Sequence, residues 1–215
     1  MTDTDRSTRL EAACTALPLV AILRGLRPEE SVEIAQTLYD AGFRLIEIPL
    51  NSPEPFDSIA RVRAALPADA LIGAGTVTTL DAVARLDEIG ADLVVMPHAD
   101  TAVIAQAKAA GMICIPGIAT PTEAYAALHA GADALKVFPA ELVDAKVVKA
   151  IRTILPVGTR LFPVGGIAPD TMTDFLAAGA AGFGLGSALY KPGDDAATVA
   201  AKAGAFTKAW AREAG

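Results

Sequence analysis

The sequence has little of what several protein classes depend on. Only two of its 215 residues are cysteines, too few for a disulfide scaffold. Both Cys14 and Cys114 lie in apolar runs, where we expect small buried thiols. Lys and Arg number 18 against 25 Asp and Glu, for a net charge of −7. An acidic chain without a basic patch is a poor ligand for nucleic acids or anionic membranes, so we expect neither as a partner.

Membrane-spanning segments and metal-ligand clusters are also missing from the sequence. No apolar stretch approaches the length of a membrane span, and residues 1–11 are polar and charged, which predicts a soluble cytoplasmic protein. His98 and His129 are the only histidines, and no Cys/His cluster or HExxH spacing occurs, so we predict no metal site. We place His129 on the surface of a helix. His98 follows an apolar run, where a loop position is favoured over a place in a site.

Apolar residues are abundant, and they are arranged in a repeat. They make up 53% of the chain against 20% charged residues, which excludes intrinsic disorder and supplies a sizeable core. Short β-type runs recur at roughly regular intervals, and each is followed by a helical pattern. Alternation of strands and helices predicts a parallel sheet. The eight runs are 19–23, 45–50, 71–77, 93–97, 113–117, 134–139, 160–166 and 182–187.

This repeat predicts the fold class. The runs are almost continuously apolar, as in strands covered on both faces, and eight such units in about 200 residues match a small (β/α)8 TIM barrel. An open doubly wound sheet is the alternative, but its Gly-x-Gly-x-x-Gly turn is missing at Leu23-Arg24-Gly25-Leu26. We expect one domain over residues 1–215, with an N-terminal extension at 1–17 whose short helix plugs the N-terminal end of the barrel. We interpret Trp210, in the last helix, as a packing residue.

Candidate site residues follow from the expected architecture, in which active sites lie at the C-terminal ends of the strands. Most polar residues of interest come just after a run, but Glu47 and Lys136 lie within apolar runs and stand apart for that reason. The full set comprises Arg24, Glu47, Asn51, Thr76, His98, Thr120, Lys136, Glu141, Gly165, Gly166, Gly186 and Ser187.

Lys136 is the central candidate. Strand alternation puts it on one face with Ala134 and Phe138, and a lysine pointing into a barrel has a lowered pKa because it loses hydration. A neutral amine attacks carbonyls and can form a Schiff base. Glu47, flanked by isoleucines, is then suited to move protons at the adjacent carbon. The alternative is a buried salt bridge between the two side chains that only fixes geometry.

Two glycine turns predict a phosphate site. Val164-Gly165-Gly166 and Gly184-Leu185-Gly186-Ser187 close the seventh and eighth runs, where barrels often bind phosphate through backbone N–H groups. Ser187 adds a hydroxyl donor. Tight turns alone would also use such glycines, so that interpretation stays open. Ser187 lacks a Gly-x-Ser-x-Gly elbow, and we therefore expect no hydrolase chemistry.

Several of these segments together resemble one family over residues 18–192, nearly the whole chain. They are Ala21-Ile22-Leu23-Arg24-Gly25, Glu47-Ile48-Pro49-Leu50-Asn51-Ser52-Pro53, Gly73-Ala74-Gly75-Thr76-Val77, Leu135-Lys136-Val137-Phe138-Pro139 and Val164-Gly165-Gly166. This set resembles the class I 2-keto-3-deoxy-6-phospho sugar acid aldolases, the KDPG/KHG aldolase family. The resemblance implies a (β/α)8 homotrimer without metal or cofactor that yields pyruvate and glyceraldehyde 3-phosphate from a phosphorylated keto-sugar acid.

The same resemblance implies roles for individual residues. Lys136 matches the Schiff-base lysine and Glu47 the general acid/base. Thr76 matches the threonine near the pyruvyl carboxylate, and Arg24 matches a substrate-binding arginine. The phosphate loops correspond to Gly165, Gly166, Gly186 and Ser187.

Two departures divide the family into branches. The phosphogluconate branch has Glu-Val-Thr-Leu-Arg and Thr-Gly-Gly where this chain has Glu47-Ile48-Pro49-Leu50-Asn51 and Val164-Gly165-Gly166. Both departures resemble the phosphogalactonate branch, which belongs to galactonate degradation. Asn51 replaces an arginine that would bind the pyruvyl carboxylate, so Thr76 and backbone donors would carry more of that role. Val164 removes a hydroxyl beside the substrate C4, and we expect relaxed selectivity there.

The sequence is also compatible with three other functions. The nearest is an aldolase that prefers the phosphogluconate-derived C4 epimer or accepts both epimers. An imine-free phosphosugar epimerase or decarboxylase on the same scaffold is a second, and a phosphosugar-binding barrel without activity is a third.

Overall fold

The structure, a computed structural model, describes residues 3–214, with side chains from residue 8 to residue 213. Helices and strands alternate along nearly all of this range. The helices are α1 (Asp3–Ala16), α2 (Pro28–Asp40), α3 (Pro55–Ala65), α4 (Leu80–Glu88), α5 (Thr101–Ala109), α6 (Pro121–His129), α7 (Ala145–Arg152), α8 (Met172–Ala177) and α9 (Ala196–Ala214). The strands are β1 (Leu19–Ile22), β2 (Leu45–Pro49), β3 (Leu71–Gly75), β4 (Leu93–Val95), β5 (Ile113–Ile115), β6 (Gly117–Ile118), β7 (Leu135–Val137), β8 (Leu161–Pro163) and β9 (Phe183–Leu185).

Every described strand pair is parallel, so the predicted α/β class with a parallel sheet is confirmed. One curled sheet has the order β5-β4-β3-β2-β1-β9, and the other has the order β6-β7-β8. Only Pro116 separates β5 from β6, because proline has no N–H to donate to a ladder. At the other end, a parallel bridge joins Val164, just after β8, to Gly184 in β9.

Each predicted run contains a strand, but the strands are shorter than the runs. Proline and glycine end several of them early, as at Pro97, Pro139 and Gly165. Several helices are followed within two residues by a glycine. Gly111, with φ of +85°, and Gly131, with φ of +98°, follow α5 and α6 in the left-handed conformation that glycine adopts without strain.

Buried apolar residues form two clusters, one on each face of the sheets. The inner cluster contains the first residues of several strands, among them Leu45 and Leu71, and Leu10 and Ala13 of α1 pack into it. Helix α1 therefore lies against the N-terminal ends of the strands. The outer cluster lies between sheets and helices, and Trp210 packs against it, as predicted.

The expectation of two buried thiols is right for Cys114 and wrong for Cys14. Cys114 is buried, whereas Cys14 is only partly buried, because α1 lies on the strand ends rather than between layers. Burial raises the pKa of the Cys114 thiol to about 12 and that of Cys14 to about 11. Both thiols therefore stay protonated at neutral pH. None of the helices within residues 3–214 combines the length and the apolar character needed to cross a bilayer.

Candidate active site

Glu47 and Lys136 are brought to the inner face of the curled sheets by strand alternation. Glu47 is the third residue of β2 and Lys136 the second of β7, while their isoleucine, leucine and valine neighbours face the helices. Glu47 is 1% exposed and Lys136 is 6% exposed. Two charge-bearing side chains are therefore held in an apolar interior, where burial is costly unless the groups have a use or a partner.

Burial dominates the electrostatics of both groups. It raises the pKa of the Glu47 carboxyl, and the charges of Lys136 and Arg24 partly oppose that rise. It lowers the pKa of the Lys136 amine, and the Glu47 charge partly opposes that fall, whereas Arg24 adds to it. Burial thus favours the neutral form of each group. The neutral form of Lys136 is the nucleophile that attack on a carbonyl requires.

The two side chains are not joined by a salt bridge. Among the described residues, no nitrogen of Lys136 lies within 4.0 Å of a carboxylate oxygen, and Oε2 of Glu47 is buried without a hydrogen-bond partner. The Lys136 Nζ lies 4.9 Å from the centre of the Phe138 ring. A direct salt bridge between the two side chains is therefore not formed in this structure, and their charges act on each other only at longer range.

Gly75 provides the space that the Glu47 carboxylate occupies. It ends β3, the neighbour of β2, and pairs in register with Pro49. A Cβ atom at Gly75 would overlap Oε2 of Glu47. The third strand therefore ends in glycine because a carboxylate lies across it. Thr76 follows with φ of +58°, a conformation rare for a β-branched residue.

Most of the predicted site residues line one cavity of about 470 Å³ at the C-terminal ends of the strands. Those that line it are Arg24, Lys136, Glu141, Val164, Gly165, Gly166, Gly186 and Ser187. Glu47 lies beneath it and lines, with Lys136 and Val164, a small internal cavity of about 10 Å³. Thr76 lines neither cavity. The structure thus brings together the two glycine turns, the lysine and the arginine, and Thr76, directly after β3, stays outside both cavities.

Arg24 is held by the residue that distinguishes this chain from the phosphogluconate branch. Its Nη1 donates a 2.6 Å hydrogen bond to Oδ1 of Asn51. Next to it, the Gly25 N–H donates to the Ser52 hydroxyl at 2.9 Å. These two bonds connect the loop after β1 to the loop after β2. Asn51 therefore orients the cavity arginine, a contact that the sequence did not indicate.

Two further parts of the cavity differ in how far the sequence indicated them: Glu141 was among the candidate residues, and residues 190–192 were not. Glu141 places its carboxylate against the glycine turn, where a Cβ atom at Gly165 would overlap it. Lys191 and its two neighbours also line the cavity, on the segment that follows Ser187. The sequence carried a signal for Glu141, since it comes after the strand of Lys136. It carried none for residues 190–192, which reach the cavity only through folding of the last loop.

The two histidines lie outside this arrangement. His129 is exposed at the end of α6, as predicted, and His98 is exposed in the loop after β4. Neither lines either cavity. Within the part of the chain that the structure describes, no group of three or more His, Cys, Asp or Glu side chains is placed to hold a metal ion.

A family model described as KDPG and KHG aldolase matches residues 10–201, most of the chain. The chain belongs to the KDPG and KHG aldolase family. It is 48% identical over 186 residues to a probable 2-dehydro-3-deoxy-6-phosphogalactonate aldolase of Rhizobium meliloti (strain 1021), covering 86% of this chain and 88% of that one. The 2-dehydro-3-deoxy-6-phosphogalactonate aldolase of Escherichia coli (strain K12) is 45% identical over 200 residues, 93% of this chain and 97% of that one.

The fold of this aldolase agrees with a solved structure of the same family. A native KDPGal structure superposes with a TM-score of 0.90 at 43% identity, covering 92% of this chain and 96% of that one. The membership predicted from the motifs is therefore confirmed, and the chain is an aldolase, a carbon–carbon lyase.

Proposed function

We propose that this aldolase cleaves 2-dehydro-3-deoxy-6-phospho-D-galactonate to pyruvate and D-glyceraldehyde 3-phosphate through a Schiff base on Lys136. The observation that carries the proposal is the buried, unbridged Lys136 at the floor of the cavity. Its lowered pKa favours the free amine, and an uncharged amine is what forms an imine with a ketone. No cofactor is needed for this chemistry, because the imine itself accepts the electron pair.

The reaction balances with these two side chains. The Lys136 amine adds to the substrate C2 carbonyl and expels water, giving a protonated imine. Glu47, directly or through a water molecule, takes the proton of the C4 hydroxyl as the C3–C4 bond breaks. The bonding pair passes to the imine to give an enamine, and glyceraldehyde 3-phosphate leaves. Protonation at C3 and addition of water then release pyruvate and restore the amine.

The remaining cavity residues fit the two ends of such a substrate. Arg24, oriented by Asn51, is placed to bind the carboxylate. The glycine turns at Gly165-Gly166 and Gly186-Ser187 line the same cavity. Backbone N–H groups there, with the Ser187 hydroxyl, suit the phosphate. The substrate would thus bind in an extended form, with its carboxylate at Arg24 and its phosphate at the glycine turns.

Val164 weakens any preference for the phosphogluconate-derived epimer, and the choice of the galactonate-derived epimer rests on the relatives. It is buried and lines both cavities, so its methyl groups meet the region of C4 where a threonine would offer a hydroxyl. A site that hydrogen-bonds a substrate hydroxyl discriminates strongly, and one that only contacts it discriminates weakly. Both relatives named above are phosphogalactonate aldolases. The alternative is a preference for the phosphogluconate-derived epimer.

Borohydride trapping with pyruvate tests the chemistry. Wild-type protein should acquire a reduced pyruvyl adduct that peptide mass mapping places on Lys136. Lys136→Ala and Lys136→Arg should acquire none and should lose cleavage, because a guanidinium does not form the imine. Lys208→Ala, at an exposed lysine of α9, is the matched control. Retained cleavage in either Lys136 variant would refute the proposal, and a higher kcat/KM for the gluconate-derived epimer would refute the substrate assignment.

We also propose a closed (β/α)8 barrel as the single domain of residues 1–215. Two observations support closure. Pro116 connects β5 to β6 and its carbonyl accepts from the Lys136 N–H at 2.9 Å, and Val164 bridges to Gly184 on the other side. Together these would join the two curled sheets into one ring of eight strands.

We propose further that the protein is a cytoplasmic homotrimer. Apolar side chains are left exposed around α7, with Leu142 80% exposed and Val157 fully exposed, and exposed apolar patches mark interaction surfaces. Multi-angle light scattering should give three times the 22.0 kDa chain mass. A monomeric mass at micromolar concentration would contradict the trimer.

A further inference from the structure

Residues 190–192 form a fixed wall of the cavity. Tyr190 is buried, and its hydroxyl donates to Oε1 of Glu30 in α2 at 3.2 Å. Pro192 packs over Gly25, since its Cγ lies 2.6 Å from the position of a Cβ atom there. The residue between them, Lys191, therefore extends from a backbone that is anchored on both sides, and it lines the same cavity as the glycine turns.

The Lys191 ammonium forms no salt bridge with the described side chains, although its charge, after the hydrogen bond from Lys202, contributes to lowering the pKa of the Asp194 carboxyl. The nearest acid along the chain, Asp194, accepts the Lys191 backbone N–H at 2.8 Å and the Lys202 ammonium at 2.5 Å. Asp194 is thus engaged with Lys202. No carboxylate oxygen of residues 8–213 lies within 4.0 Å of the Lys191 Nζ. A cation that lines a cavity and forms no salt bridge with the described side chains is available to an anionic ligand.

The charge at this end of the cavity also calls for a cation. Glu141 places a carboxylate directly against Gly165, and the whole chain carries a net charge of −7. Arg24 also lines the cavity, but its Nη1 donates a hydrogen bond to Asn51. Backbone N–H groups at the glycine turns carry only partial charges, and they would have to bind a phosphate dianion beside the Glu141 carboxylate. Lys191 adds a full positive charge on the segment that follows the second glycine turn.

We propose that Lys191 binds the phosphate of the substrate and sets the preference of the enzyme for phosphorylated over unphosphorylated aldehydes. This inference rests on the proposed function and adds a specificity-determining residue to it. The glycine turns would shape the phosphate site, and Lys191 would supply its counter-charge, since hydrogen bonds to charged groups are the stronger ones.

The test compares two aldehydes in the synthetic direction with pyruvate. Lys191→Met should raise the KM for D-glyceraldehyde 3-phosphate about tenfold, with kcat nearly unchanged. The KM values for D-glyceraldehyde and for pyruvate should not change. Lys191→Arg should restore most of the loss, because it keeps the charge, and Lys208→Met on the distant face of α9 is the control. An unchanged KM for the phosphorylated aldehyde, or an equal rise for both aldehydes, would overturn the proposal.

Calorimetry with inorganic phosphate separates this proposal from the proposed function. Phosphate should bind wild-type protein more tightly than Lys191→Met by a similar factor, whether or not the protein cleaves a sugar acid. Wild type without a trapped pyruvyl adduct would defeat the aldolase mechanism only. Equal phosphate binding by wild type and Lys191→Met would defeat the assignment of Lys191 only.

Discussion

Single residues around Glu47 and Lys136 determine how much space these two side chains have and which charges act on them. Gly75 is the clearest case, because its missing side chain leaves room for a buried carboxylate. Glu47 in turn is costly to bury, and its Oε2 has no hydrogen-bond partner among the described atoms. A buried polar group without a partner in a folded protein calls for an explanation, and a catalytic proton transfer is one.

Gly75→Ala should therefore remove activity while sparing the imine. The new methyl group would push the Glu47 carboxylate out of its position, and we expect kcat for cleavage to fall at least a hundredfold, as for loss of a general base. Pyruvate trapping on Lys136 should persist, because the lysine is not displaced. Gly204→Ala, in α9 with open space around it, should keep full activity. Wild-type turnover by Gly75→Ala would show that the carboxylate need not lie where the structure has it.

The charge of Glu47 also supports the protonated form of Lys136. Glu47→Gln removes that support and leaves burial and Arg24, both of which lower the lysine pKa. The acid limb of the pH profile for pyruvate trapping should then move to lower pH, since the amine stays neutral further into acid. Trapping rates measured from pH 5 to pH 9 check the direction. A shift of the limb to higher pH would mean that Glu47 does not act on Lys136 through its charge.

Glu141 is predicted to oppose phosphate at the glycine turn. Its carboxylate lies against Gly165, and like charges near 4 Å repel by about 4 kcal/mol at a surface-like dielectric, less here because the side chain is exposed and can rotate away. Glu141→Gln should lower the KM for D-glyceraldehyde 3-phosphate about threefold and leave that for D-glyceraldehyde unchanged. Glu123→Gln, at the start of α6, is the control. A raised KM would instead make Glu141 a substrate ligand.

At the scale of elements, the site depends on contacts between loops that follow different strands. The loops after β1 and β2 are joined through Arg24 and Asn51. Asn51→Ala should raise the KM for pyruvate several-fold, because an arginine that loses its partner is less well oriented. The trapping rate at saturating pyruvate should hardly change. Asn51→Asp should recover part of the wild-type KM, because it keeps the hydrogen-bond acceptor for Arg24. An unchanged KM for pyruvate in both variants would show that Asn51 has no role in substrate binding.

The sequence predicted elements better than contacts, and the reason is physical. Buried parallel strands must be apolar along their whole length, so the runs identify them, and a lone lysine or glutamate inside such a run is conspicuous. Strand ends depend on hydrogen bonds with neighbours, which explains why Pro116 divides the fifth run. The contact of Pro192 with Gly25 joins segments far apart in sequence. Neither the type of these residues nor their spacing in the sequence predicts such a long-range contact.

In the whole molecule, residues at the N-terminal ends of the strands contribute to stability, and residues at the C-terminal ends form the site, as in barrel enzymes generally. Leu10 of α1 is 2% exposed in the inner cluster, and Arg9 beside it donates to Asp92 at 2.6 Å, at the end opposite the cavity. Leu10→Ala should lower the free energy of unfolding by about 2–4 kcal/mol and leave kcat/KM at 25 °C unchanged. Leu80→Ala, at a half-exposed leucine of α4, should change stability by less than about 0.5 kcal/mol. Urea unfolding and kinetics on the same samples measure both quantities, and a loss of kcat/KM in folded Leu10→Ala would show that the two ends are coupled.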